Sequence, residues 1–438
     1  MFDKIFNWGK RKLEIRPAIQ FGRYSDNNKS QEKTNVWAEA ENLFKERKFY
    51  ESITAFFQYL KDDEINNVVF DRNGTHFKFE IYQGSKVVRG AGNAKHLHAK
   101  VILAKMTQPS VPVMRRLLEQ NFSLYYSRYS LNRERLIMQF DSDIDSANPN
   151  KLYYALKELA ITADKQDDLL VQDFRALERF DSDHVEEIPI SEKEIKFSFM
   201  QKWISQTLET VKGLDPEKYT GGISYLLLSL VYRIDFLITP EGTLMNELDK
   251  IQSIYLKKEI TSGIEKNRQM ILAIEKLQQH PKEEVYKNLF RSTSTFSIRH
   301  PKSYTYITEA ITNANKSMAW YRDNKYPEIA KQISEYGISF CQYSYSLPRP
   351  LTELFQLFME VNYSEYFTEL GFKENYRDPI TSRFKKEEIE DTIDLIVRKW
   401  KKRYPQLSFN THKLKFDDMV NFNQSFTAVI AELNFEST

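Results

Sequence analysis

Residues 68–81 read VVFDRNGTHFKFEI and decide the first half of the fold. Two runs of β-forming residues, 68–70 and 77–81, flank an Asn73-Gly74 pair, which is a strong local signal for a hairpin. Further strands are predicted at 99–104, 122–126 and 136–140, and helices at 34–60, 113–120 and from 149 onward. The order α-β-β-β-α-β-β-α predicts an α+β domain with an antiparallel sheet over residues 35–180.

The rest of the chain divides by composition and periodicity. Residues 1–34 have an excess of Lys and Arg without a sustained period, which indicates an irregular basic arm. Residues 181–194 end a strongly acidic stretch and are interpreted as a linker. Residues 195–438 show almost only helical spacing and predict a larger, mostly α-helical domain. The predicted helices cover 195–211, 223–238, 244–280, 283–290, 303–322, 326–345, 351–370 and 385–403, and the pattern of 404–438 fits strand or helix.

Composition excludes several classes of protein. The chain has 438 residues, 63 Lys and Arg against 61 Asp and Glu, and a net charge of +2, which argues against polyanion binding through bulk charge. Only 13 residues are Gly, so folds that need several glycine loops for phosphates are disfavoured. The single cysteine, Cys341, excludes an internal disulfide and favours the cytoplasm. Because Arg233 and Asp235 interrupt the apolar run 223–238, a buried helix is expected rather than a membrane span.

The chain start has two interpretations. Its first eight residues lack the apolar core of a secretory signal, because Asp3, Lys4 and Asn7 interrupt it. They could form a short amphipathic helix that touches a membrane or a partner. They could equally pack on their own domain or fray, since so short a helix is marginal.

Few residues suggest chemistry. His96 and His98 lie on the same side of an extended segment and could serve a metal, but no nearby third ligand is evident. Cys341 lies in an aromatic helical stretch, where a free cysteine commonly acts as a small core residue. The sequence therefore assigns no catalytic, metal-binding or cofactor-binding residue.

One basic run could contact nucleic acid. It consists of Arg398, Lys399, Trp400, Lys401, Lys402 and Arg403. Its cations could meet phosphates while the aromatic ring stacks on bases. The same cations also suit the C-terminal end of a helix whose apolar side packs on the core.

Two family resemblances follow from these elements. The turn 71–74, the helix 113–120 and the segment 132–136 give 35–180 a pattern that resembles class I type III secretion chaperones, including the Tir-chaperone and YbjN-like families. The segments 43–53 and 319–329 can be aligned, and both resemble the hairpin corner of a tetratricopeptide repeat. The chaperone resemblance implies protein binding through a sheet and a helical groove, and no catalytic motif.

The resulting hypothesis is a non-enzymatic, cytoplasmic protein-binding module, chaperone-like or an adaptor, that binds a protein client and could form a homodimer. The alternative is a nucleic-acid-binding protein that uses residues 398–403. A third alternative, an enzyme whose site is assembled from residues far apart in sequence, cannot be read from local motifs.

Overall fold

The computed structural model describes residues 16–22, 29–63, 65–180, 185–257, 262–299, 302–378 and 380–436. The α+β class predicted from the sequence is confirmed, with an antiparallel sheet in the first half and a mostly helical second half. Each half has its own apolar core. The predicted amphipathic helix at the chain start lies outside the described residues.

The first half, here called the α+β domain, consists of a helical hairpin, a sheet and two further helices. Its elements are α1 (Gln31–Lys45), α2 (Phe49–Leu60), β1 (Val68–Asn73), β2 (His76–Gly84), β3 (Lys86–Gly92), β4 (His96–Lys105), α3 (Val111–Asn121), β5 (Arg128–Asn132), β6 (Arg135–Asp143), α4 (Pro149–Asp173), β7 (Glu178–Arg179) and β8 (Glu186–Glu187). The sheet order is β1-β2-β3-β4-β6-β5, and neighbouring strands are antiparallel. Helix α4 packs across the sheet, on strands β2, β3, β4 and β6.

The predicted hairpin at 68–81 is confirmed. Strands β1 and β2 pair from Val68 opposite Ile81 to Asn73 opposite His76. Gly74 is the first central residue of the turn and has a φ of 60°, which a glycine adopts without steric cost. The apolar side of the hairpin packs on the Phe57 ring of α2.

The main path of the sheet contains a strand, β3, that was not predicted. The sequence pattern gave no strand at β3, because two glycines weaken its β-propensity. Both glycines are required by packing: a Cβ on Gly90 would lie 2.0 Å from the Phe79 ring, and one on Gly92 would lie 2.1 Å from the Phe77 ring. The aromatic rings of β2 therefore occupy the space that side chains on β3 would fill.

The predicted strand at 122–126 is wrong. The strand that pairs with the outer side of β6 is β5, and residues 122–126 form an irregular connection with exposed aromatic side chains. Aromatic residues favour strands, so a run that is rich in them resembles a strand in sequence. Whether the run is buried in a sheet depends on which elements pack against it.

The second half, here called the helical domain, has these elements: α5 (Ile190–Lys212), α6 (Thr220–Arg233) with a π-helical turn (Ile234–Ile238), α7 (Gly242–Leu256), α8 (Gly263–Gln278), α9 (Lys282–Lys287), β9 (Phe290–Arg291), β10 (Thr293–Ser294), α10 (Tyr304–Asp323), α11 (Pro327–Ser344), α12 (Arg349–Asn362), α13 (Ser364–Glu369), α14 (Lys386–Trp400) and α15 (Met419–Ala431). The stretch 404–438, which the sequence left open, contains α15.

The predicted single helix over 244–280 is wrong. Helix α7 ends at Leu256, since Lys257 has an extended ψ of 131°. Helix α8 begins after Ser262, whose side chain accepts a hydrogen bond from the Glu265 amide. The apolar spacing runs through both helices because both face the same core. The Ser262-x-x-Glu265 capping signature was the signal for a new start.

Two helical hairpins share one corner geometry. At the α1–α2 corner Arg47 has a φ of 61°, and at the α10–α11 corner Lys325 has a φ of 67°. The next amide in each corner, Lys48 or Tyr326, donates to a carbonyl five residues earlier. In the structure Arg47 therefore corresponds to Lys325. The alignment of 43–53 with 319–329 pairs Arg47 with Asp323 instead and is shifted by two residues.

The chain crosses between the two cores more than once. Residues 16–22, part of the predicted arm, pack on the helical domain, where Phe21 is buried and contacts Phe367. Helix α5 begins inside the predicted linker 181–194. Strand β10 returns to the sheet and pairs with β2, and Phe296 is buried in the core of the α+β domain.

One apolar helix has the length of a membrane span. Thr220–Ile238 meets that test by length and composition among the described residues, and 89% of its apolar window is buried inside the protein. Its position matches the buried helix predicted at 223–238.

Candidate functional site

Helix α3 has apolar residues on two opposite faces. Val113 and Leu117 are buried against the α+β core, and they account for the packing of the helix. Val111 and Leu118, seven residues apart and thus on one face, are 79% and 60% exposed. A solvated helix normally has polar residues opposite its buried stripe, so the second apolar face is unusual.

The exposed apolar face continues into aromatic side chains. Phe122, four residues after Leu118, is 94% exposed, and Tyr125 is 91% exposed. We call the exposed set the aromatic surface; its members are Val111, Leu118, Phe122, Tyr125 and Tyr126. Contiguous exposed apolar groups of this kind mark interaction sites more often than scattered single residues do.

The Glu158 carboxylate on α4 fixes the connection that carries these aromatics. It accepts hydrogen bonds from the backbone amides of Tyr125 (2.8 Å), Tyr126 (3.0 Å) and Ser127 (2.9 Å), and from the Ser127 hydroxyl (2.7 Å). Partial burial opposes ionisation of Glu158, but these hydrogen bonds outweigh it and hold its pKa below the usual range. The aromatic surface is therefore displayed by an ordered backbone.

Arginines and the last strand of the sheet path adjoin the aromatic surface. Arg115 lies on the same face of α3 as Val111 and Leu118, and Arg116 beside it is also exposed. Strand β5 is the last strand of the sheet path, and its Leu131 is 39% exposed. The two arginines thus place positive charge beside the aromatic surface, while the Tyr129 amide of β5 donates to the Asn121 side chain at 2.7 Å.

The basic run at 398–403 lies at the end of α14 and in the turn after it. Trp400 is only 9% exposed, and its indole donates to Glu353, which also pairs with Lys399 at 2.7 Å. The Lys401 ammonium donates to the Leu407 carbonyl, and the Arg403 guanidinium lies over the Tyr404 ring. Arg398 and Lys402 are exposed. The aromatic ring expected to stack on bases is therefore part of the core.

The two histidines form separate pairs with aspartates across β4 and β6. His96 Nδ1 lies 2.8 Å from Asp143, and His98 Nδ1 lies 2.6 Å from Asp141. No group of three or more metal-ligating residues occurs in the part of the chain that the structure describes. Cys341 is fully buried, and burial raises the pKa of its thiol.

A buried group of aspartates lies on α4 where the two domains meet. Asp164 accepts from the Ser85 amide at 2.7 Å, Asp167 pairs with buried Lys86 at 3.0 Å, and Asp168 pairs with Arg179 at 2.8 Å. Burial, Glu241 and Asp167 raise the pKa of Asp164 well above its usual value. Burial and Asp167 likewise raise the pKa of Asp168 to about 6. We call this group the aspartate cluster.

Sequence reasoning missed the aromatic surface because it placed Phe122 and Tyr125 in a strand. A signal was available in the spacing of α3, where Val111, Leu118 and Phe122 share one face and Val113 and Leu117 share another. A helix with two apolar faces leaves one of them exposed unless another element packs on it.

Comparison with known proteins gives no family for this chain. No protein-family model matches it, and a search of curated proteins found no match. A functional assignment therefore has to come from the side chains themselves.

Proposed function

We propose that this protein is a protein-binding module and that its partner docks on the aromatic surface. The supporting observation is that Phe122 and Tyr125 are more than nine-tenths exposed and that Glu158 holds the backbone from Tyr125 to Ser127 in place. Large rigid aromatics lose little conformational entropy on contact and commonly dominate binding energy. Burying Phe122 and its neighbours in a complex would remove several large apolar groups from water.

The partner we propose is a protein segment with apolar side chains and adjacent acidic residues. Arg115 interrupts the apolar stripe between Val111 and Leu118, and Arg116 lies next to it. An acidic residue opposite Arg115 would complement its charge, while apolar side chains cover Leu118 and Phe122.

We further propose that the role is binding rather than catalysis and that it is carried out in the cytoplasm. What supports the binding role is the kind of surface displayed, which offers apolar contact area and positive charge. The resemblance of residues 35–180 to class I type III secretion chaperones is consistent with the binding of a protein client. The nucleic-acid alternative would depend on Arg398 and Lys402, because Trp400 is not available for stacking.

The test compares the full-length chain with two variants. Phe122→Ser/Tyr125→Ser removes the centre of the aromatic surface, and Ile380→Ser is the matched control, because Ile380 is equally exposed at 91% but lies far along the chain in the helical domain. Each is used to capture proteins from native cytoplasm with nuclease and over a salt series. A captured protein is then purified, and its direct affinity for each variant is measured by calorimetry.

The expected result is one identified partner that binds the wild type and Ile380→Ser with equal affinity and the double variant at least about tenfold more weakly. Replacing the partner's acidic residues should weaken binding to the wild type as well. The proposal is overturned if the partner binds the double variant normally, if recovery requires nucleic acid, or if sedimentation shows that the surface only joins two copies of this chain.

A further inference from the structure

The helical domain encloses a cavity of about 450 Å³ that opens to solvent. Its walls come from α5, α6, α11, α13 and the segment around Arg377. This volume is within the range of small-molecule binding sites in proteins. Its lining is mainly polar and charged, and we call it the charged cavity.

Arg233 lines the charged cavity and belongs to a buried ion pair. The Arg233 guanidinium donates to Glu335 at 2.7 Å and 3.2 Å, and it also contacts the Gln332 side chain. The same guanidinium lies 5.6 Å from the centre of the Trp203 ring and 4.8 Å from that of Tyr363. These contacts fix the position of one cation without leaving its charge uncompensated.

Two further cations, Lys331 and Arg377, line the charged cavity, and the Glu328 carboxylate lines it as well. The Lys331 ammonium has no hydrogen bond or ion pair with the residues that the structure describes, although Glu335 and Glu328 are close enough to favour its charge. Arg377 forms no ion pair with another described residue either, and its Nε donates only to the Ser382 carbonyl at 3.3 Å. By contrast, Lys202 at the rim is paired with Glu365 at 2.7 Å.

The charge around Lys331 is costly in the free protein. Burial lowers the pKa of Lys331, and the nearby Arg233 and Arg377 guanidiniums add to that effect against Glu335 and Glu328. Burial also lowers the pKa of Arg377. A half-buried ammonium beside two guanidiniums is stabilised when an anion is bound between them.

We propose that the charged cavity binds a phosphate monoester of a small polar molecule. Lys331 and Arg377 hold the phosphate oxygens, and Arg233, which Glu335 holds in position, lines the same cavity. A phosphate monoester carries nearly two negative charges near neutral pH and accepts hydrogen bonds through three oxygens, so it can engage both unpaired cations. The volume exceeds what a phosphate group alone needs, and Gln206, Thr207 and Thr210 offer polar contacts for the remainder of the ligand.

The test uses the full chain purified without phosphate, and its probes are inorganic phosphate, adenosine monophosphate and acetate. Binding is measured by calorimetry and by the shift in melting temperature. The variants are Lys331→Met and Arg377→Gln, and Lys402→Met, an exposed lysine outside the cavity, is the control. Lys331→Met is expected to fold, because it removes an unpaired charge from a half-buried position.

The expected result is that at least one of the two phosphate probes binds the wild type and the control, and that each cavity variant weakens it about tenfold or more. Acetate should bind more weakly than either. Unliganded Lys331→Met should melt at or above the wild-type temperature. The proposal is overturned if neither phosphate probe binds, if acetate binds best, or if Lys331→Met and Arg377→Gln bind phosphate as the wild type does. Because Phe122 and Tyr125 lie in the other domain, this outcome is independent of protein binding at the aromatic surface.

Discussion

The α+β domain displays apolar groups on its outside, whereas the helical domain holds charges on its inside. Phe122 and Tyr125 are in water, while Arg233 and Glu335 are almost entirely buried. Each arrangement costs free energy in the isolated protein, because exposed aromatic area and buried charge are both disfavoured. The two halves therefore carry their unfavourable groups in different places: one has aromatic rings in water, and the other has charges away from water.

The largest effect is expected where the helical domain depends on a buried ion pair. Arg233→Met leaves Glu335 buried without its partner and should lower the free energy of unfolding by about 3–5 kcal/mol. Denaturant titration followed by circular dichroism measures this loss. Arg398→Met is the control, since Arg398 is 78% exposed and its replacement should change stability by no more than about 0.5 kcal/mol. Equal losses for the two variants would contradict the prediction, because the buried Arg233–Glu335 pair would then contribute no more to stability than the exposed Arg398.

A smaller effect is expected in the support of the aromatic surface. Glu158→Gln weakens charge-assisted hydrogen bonds to three backbone amides and should cost about 1–3 kcal/mol locally. Amide hydrogen exchange at Tyr125–Ser127 should therefore become about tenfold faster or more. Because the pKa of Glu158 is lowered in the folded state, this support is present above the unfolded pKa and is lost as the pH falls through the folded value.

Glu119→Gln, on the exposed side of α3, is the control for Glu158→Gln. Unchanged exchange in Glu158→Gln would show that the aromatic display does not depend on this carboxylate.

The aspartate cluster between the domains should give stability a pH dependence of the opposite sign. Because the folded-state pKa of Asp168 is about 6 and that of Asp164 is also raised, the folded protein binds more protons than the unfolded chain above about pH 4. Stability should thus increase as the pH is lowered from about 7 to about 5, with a melting temperature higher by a few °C. Asp164→Asn, which keeps an acceptor for the Ser85 amide, should reduce this pH dependence. A melting temperature that falls over the same interval in the wild type would contradict the prediction.

The smallest effect on stability is expected at the aromatic surface itself. Phe122→Ser should change the free energy of unfolding by less than about 0.5 kcal/mol, because Phe122 is 94% exposed. Phe56→Ala, at a fully buried ring in the same domain, should cost about 3–5 kcal/mol. A loss for Phe122→Ser comparable to that of Phe56→Ala would show that Phe122 supports the fold.

The sequence predicted elements whose signals are local. The hairpin at 68–81 and most helices follow from turn residues and periodicity within a few turns of chain. Strand β3 was missed because Gly90 and Gly92 are explained only by the phenylalanine rings of the neighbouring strand. The break between α7 and α8 was missed because a shared core preserves apolar spacing across it.

The candidate sites were harder to predict. The exposure of a side chain, and the meeting of distant residues in one cavity, are properties of the folded chain. The basic run was visible in sequence, yet the helix turns Trp400 into the core. Phe122 and Tyr125 looked like core residues and are solvent-exposed. The charged cavity joins Trp203, Lys331 and Arg377, which are separated by long stretches of sequence and share no motif.

The return of β10 and Phe296 to the first domain has a consequence for synthesis. The sheet and helices of the α+β domain emerge from the ribosome well before residue 296, whose backbone amide and carbonyl pair with the Gln83 side chain and whose ring closes the core beside Tyr153. Phe21 can contact Phe367 only later still, once residue 367 has been made. Domains generally fold in the order of translation, but here the core of the first domain cannot be completed until residue 296 of the second has been made. The nascent chain must therefore carry an open core while residues 181–296 are synthesised.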